Sequence, residues 1–181
     1  LSQSCTGIIA ASPADAWIVA SAIVERVGGD PGYVGLQGPT LPPAARKPMK
    51  IGVLETGGWG KTTPGAREAF AKARAALAEQ GIELADRRSD PDIEGLEQAI
   101  ACALDLTFAI YDWEFRWPLR SFAKGEPRLL GNGLRQRQQD AASMTMADYR
   151  ADIARRHAIR ERYGWCAARF DAFITLGATG A

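Results

Sequence analysis

Apolar positions along the chain fall into two rhythms. Four stretches repeat them at three- and four-residue spacing, and three short ones run them nearly unbroken. The first rhythm predicts amphipathic helices, the second buried strands. Residues 13–27, PADAWIVASAIVERV, have Ser12 as N-cap and Pro13 at the first helical position. Trp17, Ile18, Val19, Ile23, Val24 and Val27 surround most of this helix, which predicts burial on several sides, and Gly28-Gly29 ends it. A second helix is predicted over 64–81, with Thr63 as cap, Pro64 opening it and Gly81 closing it. Phe70, Ala73 and Leu77 form its buried stripe, while Glu68 and Lys72 sit one turn apart on the wet face. A long third helix runs from about 93 to 115 on the stripe Ile93, Leu96, Ile100, Leu104, Phe108, Tyr111 and Phe115, with Pro118 ending or kinking it. Residues 126–140 predict a short helix with turns, and 146–170 a strong helix capped by Thr145.

The unbroken apolar runs are KIGVLE (50–55), IELADR (82–87) and DAFITL (171–176). Strand, helix and strand over 50–87 predict a βαβ unit with a parallel pair. The fold class that follows is α/β, a partial mixed sheet flanked by helices. Residues 30–48 hold five of the ten prolines and predict a long extended connection. Three strands are few for a free-standing sheet and leave an edge unpaired. The chain starts at Leu1 and stops just after a predicted strand. It therefore reads as a single domain or the C-terminal part of a larger α/β domain, and association is expected, as a homo-oligomer or with a missing N-terminal half.

Bulk composition narrows the function classes. Apolar residues make up 46% of the 181, enough for a core. Lys+Arg 22 against Asp+Glu 21 gives a net charge of +1, so no overall basic excess points to nucleic acid or an anionic membrane. Cys5, Cys102 and Cys166 are odd in number and widely spaced, and His157 is the lone histidine. That pattern builds neither a disulfide framework nor a zinc site, and it predicts a reducing, cytoplasmic setting with no metal or cofactor. No run of 18 apolar residues and no charged-then-apolar leader pattern occur.

Three segments carry candidate chemistry. IGVLETGGWGKTTPG (51–65) resembles a phosphate-binding loop, which needs G-x-x-x-x-G-K-[ST] running straight into a helix. Glu55 stands where the first glycine belongs, and Pro64 has no N–H to offer, so nucleotide binding is not expected. YDWEFRWPLRSF (111–122) interleaves Trp113, Phe115, Trp117 and Phe122 with Arg116 and Arg120. Such segments line pockets or simply face a core; Trp113, Trp117 and Phe122 are the candidate pocket residues. His157 lies among Arg155, Arg156 and Arg160 on a helix, with Asp152 and Glu161 near in sequence. No Gly-x-Ser-x-Gly elbow supplies a nucleophile for it, so it reads as a solvated helix residue.

The order of segments carries a resemblance. SQSCTGIIAASPADAWIVASAIVERVGGDPG is similar to the amidase-signature stretch S-L-D-T-x-G-P-M-A-R-S-V-x-D-A-A-x-x-x-x-A-I-x-G-x-D-P. Ser2, Gly7, Ala10, Ser12, Asp15, Ala16, Ala22, Ile23, Asp30 and Pro31 fall on matching positions. A Pro-rich connection, MKIGVLE, the TPGAREAFAKARAALAEQGIEL helix and strand, and the late MADYRADIARRHAIRERYGWCAARFDAFITL follow in the family's order. Ser4 and Cys5 replace the usual Asp-Thr, Ile8 replaces Pro, Ala11 replaces Arg, and Leu176 stands where Pro is usual. The resemblance implies an amidase-type hydrolase that cleaves a carboxamide C–N bond through a serine acyl-enzyme. Its nucleophilic serine, second serine and lysine would lie upstream of residue 1, in a Gly/Ser-rich segment that nothing here matches. It carries no catalytic residue onto this chain, and the substrate it implies is a small-molecule amide. A non-enzymatic α/β binding module using 111–122 is the alternative reading.

Overall fold

The computed structural model describes residues 7–28, 42 and 44–180. The described residues fall into two compact units, one within 4–47 and one within 48–181. Most of the 30–48 connection lies outside the described residues.

The smaller unit holds helix α1 (Pro13–Val27). The Ser12 hydroxyl accepts from the Asp15 N–H at 3.2 Å, and Gly28, at φ 71°, ends the helix in the left-handed region. No residue of α1 is buried; Ile18, Val19, Ile23 and Val27 are exposed. This corrects the expected burial on several sides. Within the described residues of this unit no second helix or strand exists for the apolar faces to pack on.

The larger unit is built on β1 (Lys50–Val53), the central strand of a three-stranded sheet in the order β2-β1-β3, with β2 at Glu83–Ala85 and β3 at Ala172–Ile174. Both pairings are parallel, with Ile51 opposite Leu84 on one side and Ala172 on the other. The sheet is thus parallel throughout its described strands, where a mixed sheet was expected. A central parallel strand is covered on both faces, and Ile51, Gly52 and Val53 are all buried. Gly52 has a packing reason. A Cβ there would sit 2.4 Å from two ring carbons of Phe173 and 2.9 Å from Ile93 Cδ1, so only glycine lets the β3 aromatic ring cross β1.

Asp171, one residue before β3, ties the strands at their start. Its carboxylate accepts from the Met49 N–H at 2.7 Å and the Lys50 N–H at 2.9 Å. The Lys50 amide first, then that of Met49, holds its pKa below the usual carboxylate value.

Helix α2 (Pro64–Glu79) is the crossover between β1 and β2, capped by Thr63 and stopped before Gly81 at φ 72°. Of its expected stripe Phe70 is buried, Leu77 is half-buried and Ala73 is exposed. The expected long helix at 93–115 is two helices, α3 (Pro91–Ile100) and α4 (Ala103–Gly125), parted by a turn at Ala101-Cys102. The turn re-phases the chain. Ile93 and Leu96 lie fully buried, but Leu104 and Phe108 are exposed, and Leu106, Ile110 and Leu119 face inward in their place. Nor does Pro118 end α4. The exposed ring costs one backbone bond, about 3 kcal/mol of helix preference, and burial of Leu119 one residue later offsets much of it.

Helix α5 (Asn132–Ser143) follows, then α6 (Met146–Ala167), where Thr145 and Asp148 form the reciprocal capping box. The Thr145 side-chain and backbone bonds hold the Asp148 pKa down. The main core joins Leu54, Ala85, Ile93, Leu96, Cys166 and Phe170, with Ile100 and Phe173 packed on it, so α3 and α6 share one face of the sheet. Fully burying each of Ile93 and Leu96 contributes roughly 1.5–3 kcal/mol. At the front of α3, Asp90 caps the helix through the Asp92 and Ile93 amides and pairs with Arg169 of the α6–β3 turn, while Asp92 pairs with Arg162 and Arg169.

Candidate functional site

Parallel strands gather ligands at their carboxyl ends, where neighbouring connections diverge. β1 is such a strand, since the chain leaves it for β2 on one side while β3 pairs on the other. Its exit is tightly built. The Leu54 N–H donates to the Ile174 carbonyl at 2.9 Å, which carries the ladder one residue further. The Glu55 and Thr56 N–H groups then donate to the carboxylate of Glu97, a buried residue of α3. Thr56 sits at φ 59°, a left-handed conformation that costs a β-branched residue on the order of 1–2 kcal/mol. Such strain marks a site candidate. After the Gly57-Gly58 pair comes a 3₁₀ turn, Trp59–Lys61, with Arg67 donating to the Trp59 carbonyl and the Thr62 hydroxyl.

Beside this loop lies a cleft of about 730 Å³. Thr56 and Lys61 line it from the loop, Leu104, Asp105 and Thr107 from α4, and Thr179 from beyond β3. Lys61 has no ion-pair partner among the described residues. Hydroxyls, one ammonium and one carboxylate can orient a polar ligand against the apolar Leu104 side. His157 stands exposed on α6 and does not line this cleft. Of the loop amides, those of Glu55 and Thr56 serve Glu97, and those of Trp59, Lys61, Thr62 and Thr63 bond to backbone carbonyls. Glu55 points at Arg87, 3.9 Å away, and Arg87 grips Glu94 through two bonds of 2.7 and 3.1 Å. That pairing raises the Arg87 pKa and lowers that of Glu94.

The structure separates the three aromatic candidates. The Trp113 ring stacks on Tyr149 of α6 at 5.5 Å, and the Arg116 guanidinium lies 3.3 Å from its centre. The Tyr149 hydroxyl donates to Glu114 at 3.0 Å, and burial, then that carboxylate, pushes its pKa up. Trp117 is 73% exposed and lines a cavity of about 350 Å³ with Arg116, Arg120, Gln138, Ala141 and Ala142. Phe122 is exposed and lines neither cavity. Of the three, Trp117 lines one of these cavities. The bond between Thr56 and Glu97 spans 41 residues and leaves no local signature in the sequence, whereas the Gly-Gly pair and Gly-Lys-Thr after a strand mark the loop.

Ser2, Ser4 and Cys5 lie outside the described residues. Cys166 is buried, and its thiol is pushed up by that burial and by Asp90, the opposite of an activated nucleophile. Among the described residues no group of three His, Cys, Asp or Glu could hold a metal ion, and no helix is long and apolar enough to cross a membrane. No family model, curated protein or solved structure matches the chain.

Proposed function

We propose that the chain is the C-terminal part of an amidase-type hydrolase, cleaving a carboxamide C–N bond through a serine acyl-enzyme whose nucleophile lies upstream of residue 1. In that reaction a serine oxygen bonds to the amide carbon, the C–N bond breaks with the nitrogen leaving protonated, and water then releases the acid. The observation that carries the reading is Asp171. Two of the segments that resemble the family, MKIGVLE and RFDAFITL, lie 121 residues apart, and the Asp171 carboxylate joins them by accepting from the Met49 and Lys50 amides. A resemblance made of separate segments gains weight when those segments are physical partners. The cleft at the carboxyl end of β1 is this chain's share of the substrate pocket, with Lys61 and the threonine hydroxyls as orienting groups.

A fluorophosphonate probe with peptide mapping tests the reading on the full-length protein. Acylation of a serine upstream of Leu1, and of none within 1–181, supports it. Acylation inside 1–181, or an upstream sequence without a lysine and a Gly/Ser-rich run, overturns it. A second reading, a non-enzymatic α/β binding module, has one observation in its favour: Trp117 stands open beside a cavity with two arginines.

A further inference from the structure

A net charge of +1 conceals a sharp segregation. Residues 91–115 carry six acidic side chains and no basic ones, whereas residues 116–135 carry five basic and one acidic. The acidic run is largely consumed in the fold: Asp90's neighbours Asp92 and Glu94 hold arginines, Glu97 holds two amides, and Asp112, buried, takes Arg137 at 2.9 Å. The basic run is not consumed. Arg116, Arg120, Arg128 and Arg135 enter no salt bridge among the described residues.

Those four arginines converge on one groove between α4 and α5. The cavity beside Trp117 takes Arg116 and Arg120; a second cavity, of about 360 Å³, takes Arg128 and Arg135. Gln138 lines both, so the two are neighbours along one trough, and among the described residues no carboxylate lines either. Two of the guanidiniums are held in advance. Arg116 is seated on the Trp113 ring at 3.3 Å, and Arg135 Nε donates to the Leu130 carbonyl at 2.9 Å. Both retain further N–H donors for a ligand. At the near end the Trp117 indole stands exposed above the small side chains of Ala141 and Ala142, which leave room for a flat group.

We propose that this groove binds a small organic anion: an oxyanion, phosphate or carboxylate, carried on a flat apolar body. The body stacks on Trp117 and the oxyanion is taken by Arg116 and Arg120, with Arg128 and Arg135 beyond Gln138 for a second charged group. Planar guanidiniums suit this task because each offers two parallel N–H donors to two oxygens. The inference rests on the cavity beside Trp117 being a ligand site, and not on amide hydrolysis.

Phenyl phosphate, inorganic phosphate and benzyl alcohol are the probes, titrated while the tryptophan indole N–H resonances are followed, with Trp117→Phe used to assign the signal. Phenyl phosphate is expected to saturate the Trp117 signal and to bind at least tenfold more tightly than either of the others. Arg116→Ala and Arg120→Ala should each weaken it about tenfold, and raising salt should weaken it further. Both arginines are exposed, and circular dichroism confirms that the variants fold. Binding that survives the double arginine variant, or no saturable shift at Trp117, overturns the proposal. Inorganic phosphate binding as tightly as phenyl phosphate removes the stacked ring and overturns it too. Benzyl alcohol binding as tightly, with both arginine variants unaffected, overturns the anion while leaving the cavity a ligand site.

Discussion

Helices α3 and α4 are separated by two residues and could hardly be used more differently. Each acidic side chain of α3 and its cap meets a partner delivered from elsewhere in the chain: Asp90 and Asp92 meet arginines of the α6 end, Glu94 meets Arg87, and Glu97 meets the exit of β1. The second half of α4 does the reverse, presenting Arg116 and Arg120, which meet no carboxylate in an ion pair among the described residues. In a marginally stable protein, a charge with a built partner is explained by the fold, whereas a patch of like charge left without one works against compactness. The comparison separates residues that hold the sheet layer together from residues left over for something else.

The sharpest break in that contrast is expected at the centre of the sheet. Gly52→Ala drives a methyl into the Phe173 ring and Ile93, with β1 pinned on both sides by its ladders. Overpacking of this kind should cost about 3 kcal/mol, read as a lower midpoint of guanidinium unfolding. Combining it with Phe173→Leu should recover part of the loss, because the two changes share one space. An unchanged midpoint for Gly52→Ala would mean the sheet is looser than its burial implies.

Next comes Glu97. Glu97→Ala leaves the Glu55 and Thr56 amides without their acceptor beneath a backbone already strained at Thr56. Stranding them should cost about 2 kcal/mol, while Glu97→Gln, which keeps an acceptor, should cost clearly less. Equal losses for the two variants would show that the carboxylate's packing, not its bonds, is what counts.

Caps and short apolar runs were legible because their signals are local. Ser12, Thr63 and Thr145 cap the helices where the sequence places them, and the three strands fall inside their predicted runs. The turn at Ala101-Cys102 was not legible, since neither residue breaks a helix; both halves pack on α6, but only α4 also packs on α5. Pro118 is the converse case, a strong local stop signal outweighed by packing. Of the site, the loop after β1 could be read as a turn, but not the Glu97 carboxylate beneath it. Trp117 could be singled out among the aromatics only once Trp113 was seen stacked on Tyr149.

Asp171→Asn should lower stability chiefly above the carboxylate's unfolded value, and its gap from the wild type should close in acid. The folded-state pKa of Asp171 is lowered by the Lys50 and Met49 amides. Its carboxylate therefore contributes stability that is present above the unfolded value and lost as pH falls through the lower folded value. The wild-type protein should lose stability over that window, and the Asn variant should lose less. Asp86 and Asp148, also lowered, keep some slope in both. Urea midpoints measured from about pH 5 down to about pH 2 check this. Parallel profiles would remove Asp171 as a charged clasp between β1 and β3.

The smallest expected effect sits on the other side of the comparison and is the most discriminating. Arg116→Ala with Arg120→Ala removes two charges from a surface already crowded with their like, and among the described residues neither has a carboxylate to strand. The lost contact of Arg116 with the Trp113 ring costs about 0.5–1 kcal/mol at an exposed site. Relief of repulsion along 116–135 offsets part of that, so the net change in unfolding midpoint should stay within about 0.5 kcal/mol. It should shrink further at high salt, where both the repulsion and its relief are screened. A loss as large as that of Glu97→Ala would place these arginines among the groups that hold the fold. A near-neutral midpoint with weakened phenyl phosphate binding would place them in a ligand groove, because only there does removing a side chain cost binding without costing the fold.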